Sequence, residues 1–289
     1  MNVAIIGTGR MGAAMAVRLR ESGADVVVWN RTRDKAEATG CAVAQTAREA
    51  VAEAGTVLVS LADDAAVHAA YDGPDGVAAG LREGTVVVES STVDPETVRR
   101  LEPLVTGRGA VLLDGPVSGS TALVEKGQLT FMVGGPAEGV ERARPALDLL
   151  ARQVFHVGDL GSGAVVKLAV NTVVLALNQA LAESLVLAER AGVPRETTYE
   201  VLANSAIGSA FVSYKRAAFE RPDEAPVAFS IDLVAKDLDL VRQLAARVGA
   251  RMPQADTNLG VASAAVAAAL GDRDMSAIAA YLRTRSGEL

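Results

Sequence analysis

The chain has 289 residues, a formal net charge of −7 and 50% hydrophobic residues, with aromatics at only 3%. That length supports one large or two ordinary domains around a core of Ala, Val and Leu, and the acidic balance argues against a general nucleic-acid or anionic-membrane surface. Cys41 is the single cysteine and His68 and His156 the two histidines, so no disulfide, cysteine zinc site or His-rich metal site is expected.

Asn2 to Ile6 is a short apolar run that reads as a strand. No basic segment precedes it, so a signal peptide is not expected and a cytoplasmic location is. Gly7-Thr8-Gly9-Arg10-Met11-Gly12 follows, then a helical pattern from Ala13 to Arg20 and a second strand from Asp25 to Trp29. A G-x-G-x-x-G alone is a weak signal. Between a strand and a helix, inside a βαβ unit, it predicts a dinucleotide site with pyrophosphate on the helix N-terminus. Gly7, Gly9, Arg10, Met11 and Gly12 are therefore candidate cofactor residues.

The end of the second strand selects the dinucleotide. An acidic residue there accepts from a ribose 2′-OH, whereas this chain reads Asn30-Arg31-Thr32-Arg33. With no carboxylate at the tip and Arg31 foremost, the expected cofactor is NADPH/NADP+. Arg33 and Lys35 read equally as a solvated charged turn.

Strands and helices continue to alternate. Further strands are predicted at 56–61, 85–89, 110–114, 129–133 and 153–157, which makes a doubly wound α/β domain over residues 1–161. Ligands bind such sheets beyond the carboxyl ends of their strands, where Leu61, Ala62, Ser91 and Thr92 sit. Ser91 and Thr92 also suit an ordinary helix entry before Asp94-Pro95. At another strand end, Asp114-Gly115-Pro116-Val117-Ser118-Gly119-Ser120 is either a Gly/Pro turn or a small carboxylate cradle, and the turn chemistry does not separate the two.

The pattern then becomes wholly helical over residues 162–289, opening with a helix over 163–192, a rod of about 45 Å. Its interior polar residues are few, so it is expected to be buried on most sides; Asn178 and Gln179 interrupt it and count against a membrane span. Lys167 and Asn171 lie four apart and share a face. Alone, Lys167 is either a snorkelling lysine or a desolvated proton donor. Later helices are predicted at 196–202, 212–219, 231–248, 255–270 and 276–283, with an exposed loop over 221–226.

As a set, these residues resemble the β-hydroxyacid dehydrogenase family. The resemblance rests on Gly7-x-Gly9-x-x-Gly12, Ser91-Thr92, Asp114 to Gly119, Gly161-x-Gly163-x-x-x-Lys167-x-x-x-Asn171 and Lys236-Asp237-Leu238, in family order over nearly the whole chain. Asn30-Arg31-Thr32 and Gly115 to Ser120 resemble its NADPH-dependent glyoxylate and succinic semialdehyde reductases. The resemblance implies a Rossmann-like domain and an all-helical domain joined by one long helix, with a homodimer or homotetramer formed through the helical part. It implies Lys167 as general acid/base, Asn171 orienting it, Ser118 and Gly119 holding a substrate carboxylate, and Lys236 near the nicotinamide. Ser120, Phe211, Phe229 and Asp232 are further candidates for the substrate pocket. The expected activity is NADPH-dependent reduction of a small carboxylate-bearing aldehyde or keto acid. An imine reductase and a non-catalytic NADP(H)-binding protein are the alternatives, and Lys167 argues against a dedicated imine reductase, which usually carries Asp or Tyr in its place.

Overall fold

The computed structural model describes residues 1–222 and 224–287; Asp223, in the expected 221–226 loop, lies outside the described residues. The chain divides into two compact units, Met1–Leu168 and Ala169–Leu289.

The first unit begins with strand β1 (Asn2–Ile6), helix α1 (Arg10–Glu21), β2 (Asp25–Trp29), α2 (Arg33–Glu37), β3 (Ala42–Val43) and α3 (Ala47–Val51). It continues with β4 (Thr56–Val59), α4 (Asp64–Tyr71), α5 (Val77–Gly80), β5 (Val86–Glu89), α6 (Pro95–Thr106) and β6 (Val111–Asp114). β7 (Val117–Ser118), α7 (Thr121–Glu125), β8 (Leu129–Gly134), α8 (Ala137–Leu147) and β9 (Ala151–Gly158) complete it. The first six strands are parallel in the order β3-β2-β1-β4-β5-β6. The order reverses beside β1, which opens a crevice at the carboxyl ends of β1 and β4.

Alternation along β1 explains the two layers. Val3 and Ile5 pack with Met15 and Leu19 of α1 and with α8, while Ala4 and Ile6 pack with Val67 and Tyr71 of α4 and with α6. Both faces are therefore apolar, and β4 and β5 are buried at every position, as a parallel sheet requires. Beyond β6 the direction changes. β8 runs antiparallel to β6 and β7, and β9 runs parallel to β8.

Helix α9 (Ser162–Arg190) starts in the first unit and runs into the second, which adds α10 (Arg195–Ala203), α11 (Ala210–Glu220), α12 (Ile231–Val248), α13 (Pro253–Ala265) and α14 (Ile278–Arg285). The helix expected to run to 270 stops earlier: a π-helical turn at Val266–Leu270 has Ala269 at φ 62° and breaks the rod. A 3₁₀ turn at Met275–Ala277 leads into α14.

The expectation that α9 is buried on most sides needs correction. Leu168, Asn171, Leu175, Asn178, Ala182 and Leu185 form the buried stripe, whereas Val173 is 68% and Leu187 73% exposed. The polar residues face inward because they have partners there. Asn178 Nδ2 donates to the Met275 carbonyl at 3.0 Å, and Gln179 Nε2 to Glu183 Oε1 at 2.7 Å. By length and composition alone α9 would be apolar enough to cross a membrane.

Candidate active site

The glycine loop leaves β1 through Gly7, whose φ of +93° suits glycine and whose N–H donates to the Trp29 carbonyl at 2.8 Å. A side chain at Gly7 would overlap the Ser60 carbonyl, and one at Gly12 would overlap the carbonyl of Gly7, so α1 packs directly against the strand ends. Around Gly9 the situation is reversed. A Cβ there would meet nothing within 4 Å. Gly9 is the N-cap of α1, no side chain caps it, and the first turn holds no acidic residue, while Arg10 is exposed. Close packing at two glycines and open space at the third fit a pyrophosphate on the first-turn N–H groups.

At the tip of β2, Asn30 Oδ1 accepts from the Thr8 N–H at 3.0 Å, and Asn30 Nδ2 donates to the Thr32 carbonyl at 2.9 Å. The amide thus ties the glycine loop to the next turn. Arg31 and Thr32 are exposed beside it. Arg33 is engaged elsewhere, with Glu37 Oε1 at 2.6 Å and Gln45 Oε1 at 3.0 Å. Arg31, exposed at this tip, is left available to a ligand.

The tips of β4 and β5 are joined by side chains. The Leu61 N–H donates to Ser91 Oγ at 2.8 Å, and the Ser91 N–H to Glu89 Oε1 at 2.9 Å. Ala62 is exposed and Thr92 half-buried next to them. Glu89 is fully buried, and burial pushes its carboxyl up to about 7. The hydrogen bond from the Ser91 N–H and the neighbouring Ser91 and Tyr71 hydroxyls oppose that rise, and the Asp114 charge adds to it. Sequence reading missed Glu89, because an acid closing a Val-Val-Val run looks like an ordinary strand end.

Asp114, at the end of β6, is the joint between sheet and long helix. Its carboxylate accepts from the Gly161 N–H at 2.8 Å and the Ala164 N–H at 2.7 Å. Burial raises its pKa, and these two N–H groups draw it back. A side chain at Gly163 would overlap the Met132 carbonyl, so the Gly-x-Gly motif lets the helix start against the sheet. Lys167, half-buried, follows one turn after Ala164. From the other side of Asp114 the chain leads to Ser118, which closes β7 opposite Thr130, then to exposed Gly119 and to Ser120, the N-cap of α7. One carboxylate thereby anchors the helix bearing Lys167 and the strand end preceding Ser118.

In the second unit, Asn171 Nδ2 donates to Asp237 Oδ2 at 2.6 Å, and Lys236 Nζ lies 2.9 Å from Asp237 Oδ1. Buried Asp237 therefore joins two residues singled out from sequence; the Lys236-Asp237 pair was visible there, its bridging role was not. Phe211 packs edge-on against Tyr214, with ring centroids 5.4 Å apart. The Phe229 N–H donates to Asp274 Oδ2 at 3.2 Å, and exposed Asp232 donates its N–H to the Gly271 carbonyl at 2.9 Å. Asp274 also holds buried Lys215 at 2.8 Å, an ion pair no sequence pattern marked.

Comparisons with known proteins agree with this arrangement. Residues 2–158 match the profile described as the NAD binding domain of 6-phosphogluconate dehydrogenase, and residues 161–282 that described as NAD-binding of NADP-dependent 3-hydroxyisobutyrate dehydrogenase. The chain is 32% identical to glyoxylate/succinic semialdehyde reductase 1 of Arabidopsis thaliana, over 96% of its own length and 97% of the relative's. It is also 32% identical to the NAD-dependent L-serine dehydrogenase of Pseudomonas aeruginosa, covering 96% of each. The crystal structure of a 3-hydroxyisobutyrate dehydrogenase from Salmonella typhimurium superposes with a TM-score of 0.88 at 28% identity, covering 97% of this chain and 99% of that one. With the glycine loop, the strand-tip network and the clamped long helix, these matches establish that the chain belongs to the β-hydroxyacid dehydrogenase family of nicotinamide-dependent oxidoreductases.

Proposed function

We propose that this chain reduces a small aldehyde or keto acid bearing a carboxylate, using NADPH, with Lys167 as the proton donor. The observation that carries the reading is the Asp114 clamp: one buried carboxylate fixes the first turn of α9 and begins the segment that ends in Ser118 and Gly119. A proton donor and an anion cradle tied to one anchor suit a substrate with a carbonyl and a carboxylate a few atoms apart.

When bound, the reduced nicotinamide supplies a hydride to the carbonyl carbon. The chain's part is to hold and protonate. The first turn of α1 and Arg10 hold the pyrophosphate, and Arg31 and Thr32 meet the 2′-phosphate. Ser118 and Gly119 hold the substrate carboxylate. The Lys167 ammonium donates its proton to the carbonyl oxygen, Asn171 orients that lysine along α9, and Lys236 is held by Asp237. In the oxidative direction neutral Lys167 takes the proton back. The exposed apolar stripe of α9 supports self-association as a homodimer or homotetramer.

Lys167→Ala is the direct test. Turnover should fall roughly 10²–10⁴-fold while NADPH binding stays unchanged. Turnover close to wild type would remove Lys167 from the chemistry.

A further inference from the structure

The second unit holds a buried ion pair that the proposed reaction does not use. Lys215 of α11 places its Nζ 2.8 Å from both carboxylate oxygens of Asp274, and both residues are buried. Asp274 Oδ2 also accepts from the N–H groups of Ala228 and Phe229, at 2.9 and 3.2 Å, and Oδ1 from the Ser276 N–H at 3.1 Å. The two segments so joined pair further through their backbones. The Met275 N–H donates to the Phe229 carbonyl at 2.8 Å, the Ile231 N–H to the Arg273 carbonyl at 3.0 Å, and Ser230 bridges antiparallel to Asp274.

This turn holds the two helices that carry the second unit's site residues. Ile231 opens α12, which bears Lys236 and Asp237. Asn178 of α9, which donates to the Met275 carbonyl at 3.0 Å, lies about two turns beyond Asn171, whose amide reaches Asp237. The two helices are therefore tied twice, once through the Asp274 turn and once by the Asn171–Asp237 bond itself. The Ser276 hydroxyl, donating to the Ala218 carbonyl at 3.1 Å, brings in α11.

The described residues between α11 and α12 form no helix, and Pro222 and Pro226 have no N–H to give a strand. The path of the chain into α12 is thus set by what Asp274 and its neighbours accept. A buried ion pair costs desolvation, and an apolar pair of similar volume often serves stability as well. A carboxylate does what an apolar group cannot: it accepts from two separate segments at once, with Lys215 as its counter-charge.

We propose that Asp274, balanced by Lys215, is a positioning residue for the substrate. It fixes the Phe229 segment and the start of α12, and thereby sets Asp237 and Lys236 against Asn171. The proposal rests on the reading of Phe229, Asn171 and Lys236 as substrate-side residues given above.

The test is the double variant Lys215→Met, Asp274→Asn in the full chain. It leaves no buried charge unpaired, so the urea midpoint should stay close to that of the wild type. The amide, however, turns its NH₂ towards N–H groups that the carboxylate accepted, and the turn loosens. Kinetics are read on whichever of succinic semialdehyde, glyoxylate, an uncharged aldehyde and a cyclic imine the wild type turns over fastest. On that substrate kcat/KM should fall about 10–100-fold, with KM raised, while the Kd for NADPH is unchanged. If the double variant does not fold, Asn178→Leu takes its place: it unties the turn from α9 alone and should lower kcat/KM in the same sense at unchanged NADPH affinity. Wild-type kcat/KM in the variant, or a loss of NADPH affinity in step with kcat/KM, overturns the proposal and leaves the reaction proposed above intact. A wild type that turns over none of these substrates overturns both.

Discussion

Asn30 stands at the tip of β2, where the proposed function has the dinucleotide's 2′ position read, and its amide is spent on structure at both ends. An aspartate there would still accept from the Thr8 N–H. It would, however, face the Thr32 carbonyl with a second acceptor and a 2′-phosphate with a like charge. Asn30→Asp should therefore raise KM for NADPH by about 10-fold or more, since a like-charge contact costs several kcal/mol, and should spare NADH. Steady-state rates with both dinucleotides check this; an unchanged ratio would show that the tip does not read the 2′ position. This residue was legible in the sequence because the motif fixes its place. Glu89 and Asp237 were not, because their significance lies in partners on other strands and helices rather than in spacing.

The helix that joins the two units depends on a capping interaction that its own sequence does not contain. Asp114 stands 50 residues before Ala164 and satisfies two of the N–H groups at the start of α9. Asp114→Ala would leave both N–H groups buried and unpaired, and should lower stability by about 2–4 kcal/mol in urea unfolding followed by circular dichroism. Asp114→Asn keeps one acceptor oxygen and should lose less. Equal losses would mean that the one acceptor oxygen the amide keeps contributes nothing. Periodicity located α9 closely but misjudged its faces. Apolar character on Val173 and Leu187 predicted burial, whereas the buried stripe contains Asn171 and Asn178. A pattern reports which residues dislike water and is silent on which polar groups have found a partner. For the same reason the strand at 129–133 was readable while its antiparallel pairing was not, because direction is set by the neighbour and leaves no mark on the strand's own residues.

For the whole molecule, the order of motifs carried the fold class: alternating strands and helices first, helices only thereafter, with a glycine loop at the sheet's crevice. The account joins three local findings: a β2 tip without a carboxylate, an anchor shared by the Lys167 helix and the Ser118 segment, and a buried ion pair in the turn that ties α9 to the start of α12. The first two meet in a single claim, that the substrate is an acidic aldehyde or keto acid and the reductant NADPH. The most direct test is NADPH oxidation, followed at the nicotinamide absorbance band, with succinic semialdehyde and glyoxylate against an uncharged aldehyde and a cyclic imine, and with NADH in parallel. The account predicts turnover of the carboxylate-bearing substrates, faster with NADPH than with NADH, and little turnover of the uncharged ones. Equal turnover of the uncharged aldehyde, turnover of the imine alone, or a preference for NADH would contradict it.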